Sequence, residues 1–416
     1  MEKMFRRFIA ALIKTGSLEV ETASGARYQF GDGSGKNVRL RFADKAAQTA
    51  VLLNPTLRFG ELYMDGRVTV DEGTIYDALA AICQNIDHLE RIWWLQALTT
   101  ARGRLQHIFK ANSSVRARRN VAHHYDLDRR LYKLFLDDDM QYSCAYFENG
   151  AATLDDAQLA KKRHIAAKLM IEKGDRVLDI GCGWGGLALY LARICGAKVT
   201  GITLSREQLA FARERASEAD QSNAIEFRLQ DYREIDERFD KIVSVGMFEH
   251  VGPEFYATYF QQVAKLLQPG GMALIHTIGS SRVQYEPDPW INKYIFPGGY
   301  IPSLATIMPA IERAGLYVTD IEILRLHYAE TLRAWRARFL AHRADAAALY
   351  DERFCRMWEY YLAASEAAFR YTGEVVFQIQ LAKKVDAVPL TRDYMLRAEA
   401  ELRRRDSAGS GLRIAG

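Results

Sequence analysis

The chain has 416 residues, 49% of them hydrophobic and 26% charged, with a formal net charge of +4. That is enough apolar material for one large core or two unequal ones, and too little charge to imply nucleic acid as a partner. No apolar run approaches the roughly 20 residues that span a bilayer, and the N-terminus lacks the apolar core and cleavage site of a secretory leader. Cys83, Cys144, Cys182, Cys195 and Cys355 have neither metal-ligand nor paired-framework spacing, so a reducing, cytoplasmic setting without a metal is expected.

The first fourteen residues place Met4, Phe5, Phe8, Ile9, Leu12 and Ile13 on one helical face, with Lys3, Arg7 and Lys14 off it. Two roles fit: an interfacial helix on an anionic leaflet, or a helix docked on its own domain. Alternating stretches over 17–30 and 38–42 flank Gly31-Asp-Gly-Ser-Gly35 and read as a hairpin turning there. Mixed helical and strand signals follow from Ala43 to Asp77, then helices through Leu79 to Leu98. Residues 1–101 thus read as a small α+β binding module. Residues 102–120 carry Arg102, Arg104, Lys110, Arg116, Arg118 and Arg119 with no acid, a basic linker that is either solvated or in contact with lipid headgroups.

A second domain is expected over 121–390, with a basic tail over 391–416. A helical approach holds His123-His-Tyr-Asp-Leu127 and Met140-Gln-Tyr-Ser-Cys-Ala-Tyr-Phe147, followed by a charged helix from Leu154 to Ile171. Strands at 176–180, 198–203, 225–229, 241–245 and 272–277 then alternate with helices at 187–195, 207–219 and 254–267. Such βαβ alternation predicts an α/β, Rossmann-like sheet, mostly parallel. Runs at 317–324 and 374–381 would add an antiparallel pair at one edge. Ligands bind such sheets beyond the carboxyl ends of the strands, so functional side chains belong there.

The first of those strands runs into Asp179-Ile-Gly-Cys-Gly-Trp-Gly-Gly186. Gly181, Gly183 and Gly186 fit the spacing that brings a pyrophosphate to a helix N-terminus. A nicotinamide site would also want a carboxylate at the end of the next strand, and Lys198-Val-Thr-Gly-Ile-Thr203 ends without one. The carboxylate is Asp179 instead, ahead of the glycines, where it would repel phosphate and suit a cationic ligand. S-adenosylmethionine, with a sulfonium, an ammonium and no phosphate, fits better. Thr203 and Gln208 lie where ribose hydroxyls would, and Asp231 and Tyr232 where adenine would. Glu249 and His276 follow the fourth and fifth strands and would converge near the sulfonium. Tyr285, Trp290, Tyr294, Phe296 and Tyr300, set among prolines after the fifth strand, read as an aromatic, cation-tolerant substrate lid or as ordinary helix packing.

His124-Tyr-Asp-Leu, Tyr142-Ser-Cys-Ala-Tyr-Phe, Leu178-Asp-Ile-Gly-Cys-Gly-Trp-Gly-Gly, Phe248-Glu-His-Val-Gly and Lys293-Tyr-Ile-Phe-Pro-Gly-Gly-Tyr-Ile-Pro-Ser together resemble the cyclopropane-fatty-acyl-phospholipid synthase family. The likeness covers nearly the whole chain and implies a sterol-carrier-like, lipid-binding N-terminal domain beside a methyltransferase domain. It implies transfer of the methyl carbon of S-adenosylmethionine to a cis double bond of a phospholipid acyl chain. The resulting carbocation would close to a cyclopropane when a bound bicarbonate removes a proton. By the same resemblance the bicarbonate ligands are Cys144, Glu249, His276, Tyr328 and the backbone of Ile278, and the cofactor contacts include Tyr125, Tyr142, Ser143, Gly181, Gly183, Thr203, Gln208, Tyr232 and Arg233. The chain departs from the family at Ser365, where many members have cysteine, and at Asp128-Arg129, where Gly-Asn is common. The first departure excludes a cysteine nucleophile there. The implied partner is an anionic bilayer met from the cytoplasmic face, and the implied assembly a homodimer. A relative that stops at a methyl or methylene branch, and an inactive lipid carrier, are the alternatives.

Overall fold

The computed structural model of the chain describes residues 1–90, 128–148, 153–282 and 288–410. Tyr125, Tyr285, the basic segment 102–120 and His123–Leu127 fall outside the described residues. Contacts group the chain into two compact units, each interrupted in sequence. One comprises Met1–Ala111, Pro287–Pro297 and Leu332–Glu374, and the other Asn112–Glu286, Gly298–Thr331 and Val375–Gly416.

In the first unit a helix over Glu2–Leu12 buries Phe5, Phe8, Ile9 and Leu12. Phe5 meets the ring of Phe42 edge-on at 4.9 Å, so this apolar face is committed to its own core. The sheet has the order β2-β1-β3-β4, from β1 Ser17–Glu21, β2 Arg27–Phe30, β3 Asn37–Phe42 and β4 Val68–Glu72. The hairpin turns at Thr22–Ala26, between β1 and β2, and not at Gly31–Gly35 as expected. Instead β3 runs parallel to β1. The cause is local. Thr22 N donates to Ala26 O at 2.9 Å, while Gly31 lies so close to Gly16 that a Cβ would stand 2.1 Å from its carbonyl oxygen. The glycine-rich loop therefore crosses back over the start of β1. The helix Glu352–Tyr371 belongs to this unit, and so does Pro289–Tyr294, whose Trp290 is fully buried with its ring 4.5 Å from that of Tyr360.

The second unit holds a seven-stranded sheet of order β10-β11-β9-β8-β5-β6-β7. Its strands are β5 Arg176–Ile180, β6 Lys198–Thr203, β7 Ile225–Leu229, β8 Phe239–Val245, β9 Leu267–Ser280, β10 Tyr317–Leu324 and β11 Glu374–Ala382. β5 pairs in parallel with both β6 and β8, and β8 in parallel with β9. β10 and β11 form the expected antiparallel pair, with β10 at the edge. Alternation along the strands divides the core. Leu178, Ile180, Ile242, Ala273 and Ile275 join Phe248, Tyr259 and Phe260 in one cluster. Val177, Val243, Met272 and Leu274 join Leu187, Leu191, Ala212 and Phe227 in another. A strand buried on both faces reads as a continuous apolar run, which β5 is from Val177 to Ile180 except at Asp179.

One detail differs from expectation and another was not foreseen. The segment from Met140 to Phe147 is irregular backbone, not helix, and Met140 has φ of 59°. The helix Leu154–Lys168 is charged but not solvated: Lys161, Lys162, Arg163, His164 and Lys168 are all buried.

Candidate active site

The carboxyl end of β5 turns sharply. Gly181 has φ of +83°, and a Cβ there would meet Met247 at 2.9 Å. Its N–H and that of Cys182 both donate to Ile202 O at 3.0 Å, tying the turn to β6. Gly185, with φ of +83°, lets the chain enter the helix Gly186–Tyr190 where a Cβ would meet Phe227 at 2.9 Å. Only glycine meets both conditions at these two positions.

This turn floors a cleft of about 1230 Å³, its open mouth included. The cleft is lined by all ten described residues of the expected cofactor set: Tyr142, Ser143, Asp179, Gly181, Gly183, Thr203, Gln208, Asp231, Tyr232 and Arg233. Thr203 Oγ1 donates to Gln208 Oε1 at 2.8 Å, and Ser205 caps the helix that carries Gln208. Asp231 is not an open carboxylate. It takes a bidentate fork from Arg233, Nε at 2.9 Å and Nη2 at 2.6 Å, which fixes both residues at the rim.

Asp179 is fully buried and its Oδ2 has no hydrogen-bond partner. Burial pushes its carboxyl up to about 7, against the nearby charge of Lys161. A buried carboxylate without a partner is costly unless a cation reaches it.

Beyond the cleft floor, Glu249 follows β8 and His276 sits in β9, paired in register with Val245. Glu249 Oε1 accepts from Ile278 N at 2.6 Å, while Oε2 is buried without a partner. Burial raises this carboxyl to about 7, outweighing the hydrogen bond from Ile278. The Ile278 amide, expected as an anion ligand, therefore donates to Glu249. His276 Nδ1 lies 3.1 Å from Gln378 Nε2, and its Nε2 is buried without a partner. Burial holds the imidazole well below its ordinary pKa. With Gln378 donating to Nδ1, the ring proton sits on Nε2 and is open to an acceptor. Cys144 is fully buried, its thiol pushed up by burial and donating to Ala145 O at 3.3 Å, so it is a neutral thiol and no nucleophile. Ala145 N donates to Thr331 Oγ1 at 3.0 Å, which brings the Cys144 segment to the helix His327–Ala341 that carries the buried Tyr328.

Of the aromatic substrate candidates, Tyr300 belongs to the second unit, its N–H donating to Glu249 O at 2.9 Å, while Trp290, Tyr294 and Phe296 fall in the first, as does Ser365. Tyr294 OH donates to Glu61 Oε1 at 2.9 Å, Phe296 lies against the ring of Tyr361 at 6.0 Å, and Ser365 is half-buried in Glu352–Tyr371. They do not line the cleft. Two residues of the cleft region were missed in the sequence. His250, half-buried and held down to about 4 by desolvation, lines the cleft, and its adjacency to Glu249 was the available signal. Lys161 lies beneath the cleft, bonded to two of its lining residues.

A parallel sheet with its glycine turn and cleft at the strand ends defines a methyltransferase-type α/β enzyme. Residues 112–379 match the family model described as mycolic acid cyclopropane synthetase, and residues 4–91 match a domain of unknown function, DUF7884. The chain is 43% identical over 339 residues to the cyclopropane-fatty-acyl-phospholipid synthase of Escherichia coli K12, covering 81% of this chain and 85% of that one. It is 38% identical over 341 residues to tuberculostearic acid methyltransferase UfaA1 of Mycobacterium tuberculosis, covering 78% of each. Among solved structures, mycolic acid cyclopropane synthase CmaA1 complexed with SAH and CTAB matches with TM-score 0.61 and 33% identity, over 64% of this chain and 98% of that one. The chain belongs to the mycolic acid cyclopropane synthetase family.

Proposed function

We propose that the chain uses S-adenosylmethionine to add one carbon to the cis double bond of an unsaturated phospholipid acyl chain, and that the product is a cyclopropane. Carbon transfer to a lipid acyl chain follows from the relatives, whose names carry that chemistry. Phospholipid, ring closure and a bicarbonate base are the finer parts of the reading. One observation carries it: two buried polar atoms without partners, Glu249 Oε2 just after β8 and His276 Nε2 in the neighbouring β9, accompany a third, Asp179 Oδ2, which is among the residues that line the cleft.

The residues fit both groups. Asp179 suits a cationic ligand, and Gly181 lets it approach the backbone. S-adenosylmethionine would supply an electrophilic methyl, and a bicarbonate would supply a base too weak to be methylated in its place. A small anion that itself carries a proton suits a site where His276 Nε2–H can donate and Glu249 Oε2 can donate when protonated or accept when ionised. Glu249, at about 7, holds or yields a proton at working pH. The neutral Cys144 thiol adds no competing nucleophile.

A branched product is the second reading, favoured by the likeness to a tuberculostearic acid methyltransferase. No described helix is long and apolar enough to cross a membrane. The reading includes a cytoplasmic enzyme that visits an anionic bilayer from one face and assembles as a homodimer. The test is turnover on vesicles of unsaturated phospholipid in CO2-free buffer. Activity should fall and return when bicarbonate is added, and activity indifferent to bicarbonate would remove it from the site.

A further inference from the structure

We infer that Lys161 is a positioning residue for the cofactor, a buried ammonium that acts through Ser143 and Gln141 to aim their polar atoms at the cofactor's amino-acid end. The inference rests on the cofactor reading above and deepens it.

Lys161 is fully buried on the helix Leu154–Lys168. Its Nζ donates to Gln141 Oε1 and to Ser143 Oγ, each at 2.8 Å. Both acceptors are neutral oxygens, and both residues line the cleft. Gln158, three residues earlier, donates through Nε2 to Ser143 O at 3.0 Å and Gln141 O at 3.3 Å. One face of this helix thus clamps both the backbone and the side chains of an otherwise irregular segment. A fully buried ammonium without a carboxylate partner is a poor way to stabilise a fold, since an apolar side chain of similar volume would serve as well or better.

Its effect on Ser143 is specific. A hydroxyl that accepts from an ammonium must direct its own proton elsewhere, and for Ser143 the cleft is the open side. Ser143 then presents a donor over a positive charge, which suits a carboxylate. Asp179, in the same cleft, suits an ammonium. An α-amino acid zwitterion carries both, and S-adenosylmethionine and its demethylated product each end in one.

The charges around Lys161 support this division. Burial lowers Lys161 to about 8, helped by Lys162 and opposed by Asp137 and Asp139. Asp139 is already held by Lys162 and Arg215. Burial raises Asp137 to about 6, and it accepts from Gln141 N at 2.8 Å. Lys161 in turn favours the ionised form of Asp179 and the neutral form of His276. Removing it should raise Asp179 further and free Ser143 to turn.

The test is S-adenosylhomocysteine affinity by calorimetry from about pH 6 to about pH 9 in wild type, Lys161→Met, Ser143→Ala and the double variant. Comparing variants at each pH cancels the ligand's own titration. Lys161→Met should bind about tenfold more weakly at neutral pH, as expected for a charge-assisted hydrogen bond. The deficit should shrink towards pH 9, where wild-type Lys161 has lost its proton and Asp179 is ionised in both. In the Ser143→Ala background, Lys161→Met should cost much less. A deficit that is flat with pH, no deficit, or additive losses in the double variant would overturn the inference. Should Lys161→Met fail to fold, Ser143→Ala alone decides: it must weaken binding and flatten the fall in affinity above pH 8, and retaining both refutes the role. Wild type that binds no S-adenosylhomocysteine at all would instead sink the cofactor reading itself.

Discussion

Replacing Asp179 by Asn should make the empty protein more stable and the cofactor site worse. In the folded chain burial raises this carboxyl from 3.8 to about 7. That is a shift of about three units, equivalent to about 4 kcal/mol at about 1.4 kcal/mol per unit. The sign follows from proton binding: between these values the folded state keeps a proton that the unfolded chain has lost, so stability falls as pH rises through that window. Asn carries no such penalty. The variant should therefore match wild type near pH 4 and exceed it by up to about 4 kcal/mol at pH 8, or up to about 8 °C in melting temperature. Melting curves across pH, with and without S-adenosylhomocysteine, read both effects. Saturating ligand should raise the wild-type melting point through binding linkage and leave the variant nearly unmoved. A variant with no pH-dependent advantage, or one that the ligand stabilises as well as wild type, would refute the assignment of Asp179 to a cationic ligand.

Glu249→Gln should leave cofactor affinity within about twofold while reducing turnover about 100-fold or more, the range of a lost acid–base group; normal turnover would remove Glu249 from the proton path. His164 is buried between Glu322, at 2.6 Å from its Nε2, and Glu399 at its Nδ1, with Tyr146 stacked on it at 4.2 Å. Burial opposes its charge, but the two carboxylates outweigh it and raise its pKa. The stability it gives is full below the ordinary histidine pKa and lost as pH rises through the raised one. Glu399→Gln should thus destabilise by about 2 kcal/mol near pH 6 and by much less near pH 9, and a loss independent of pH in chemical denaturation would contradict this latch on the helix Asp393–Ser410.

The sheet was legible because β5, β6 and the end of β8 each hold a short, largely apolar run, and because one carboxylate, Asp179, interrupts such a run where no core would place it. The same logic gave the cleft, since strand ends converge by topology. Pairing order in the first unit was not legible. Gly31–Gly35 looks like a tight turn, and only the close approach of Gly31 to Gly16 makes it a crossover. Lys161 was hidden for a related reason. A helix dense in Lys and Arg reads as solvated, and burial of its charges depends on Gln141, Ser143, Glu322 and Glu399, far away in sequence. The aromatic segment after β9 was half legible. Its density marks burial, but Trp290 packs on Tyr360 and Tyr294 binds Glu61, partners that no local pattern announces.

The most direct measurement is product analysis with S-adenosylmethionine carrying a fully deuterated methyl, supplied to the purified protein with vesicles of monounsaturated phospholipid. Ring closure requires loss of one hydrogen from the transferred carbon, so the acyl product should retain two of the three deuterons, lack an alkene and resist mild hydrogenation. Retention of all three deuterons in a methyl-branched chain, or unchanged lipid from protein that binds the cofactor, would contradict the account.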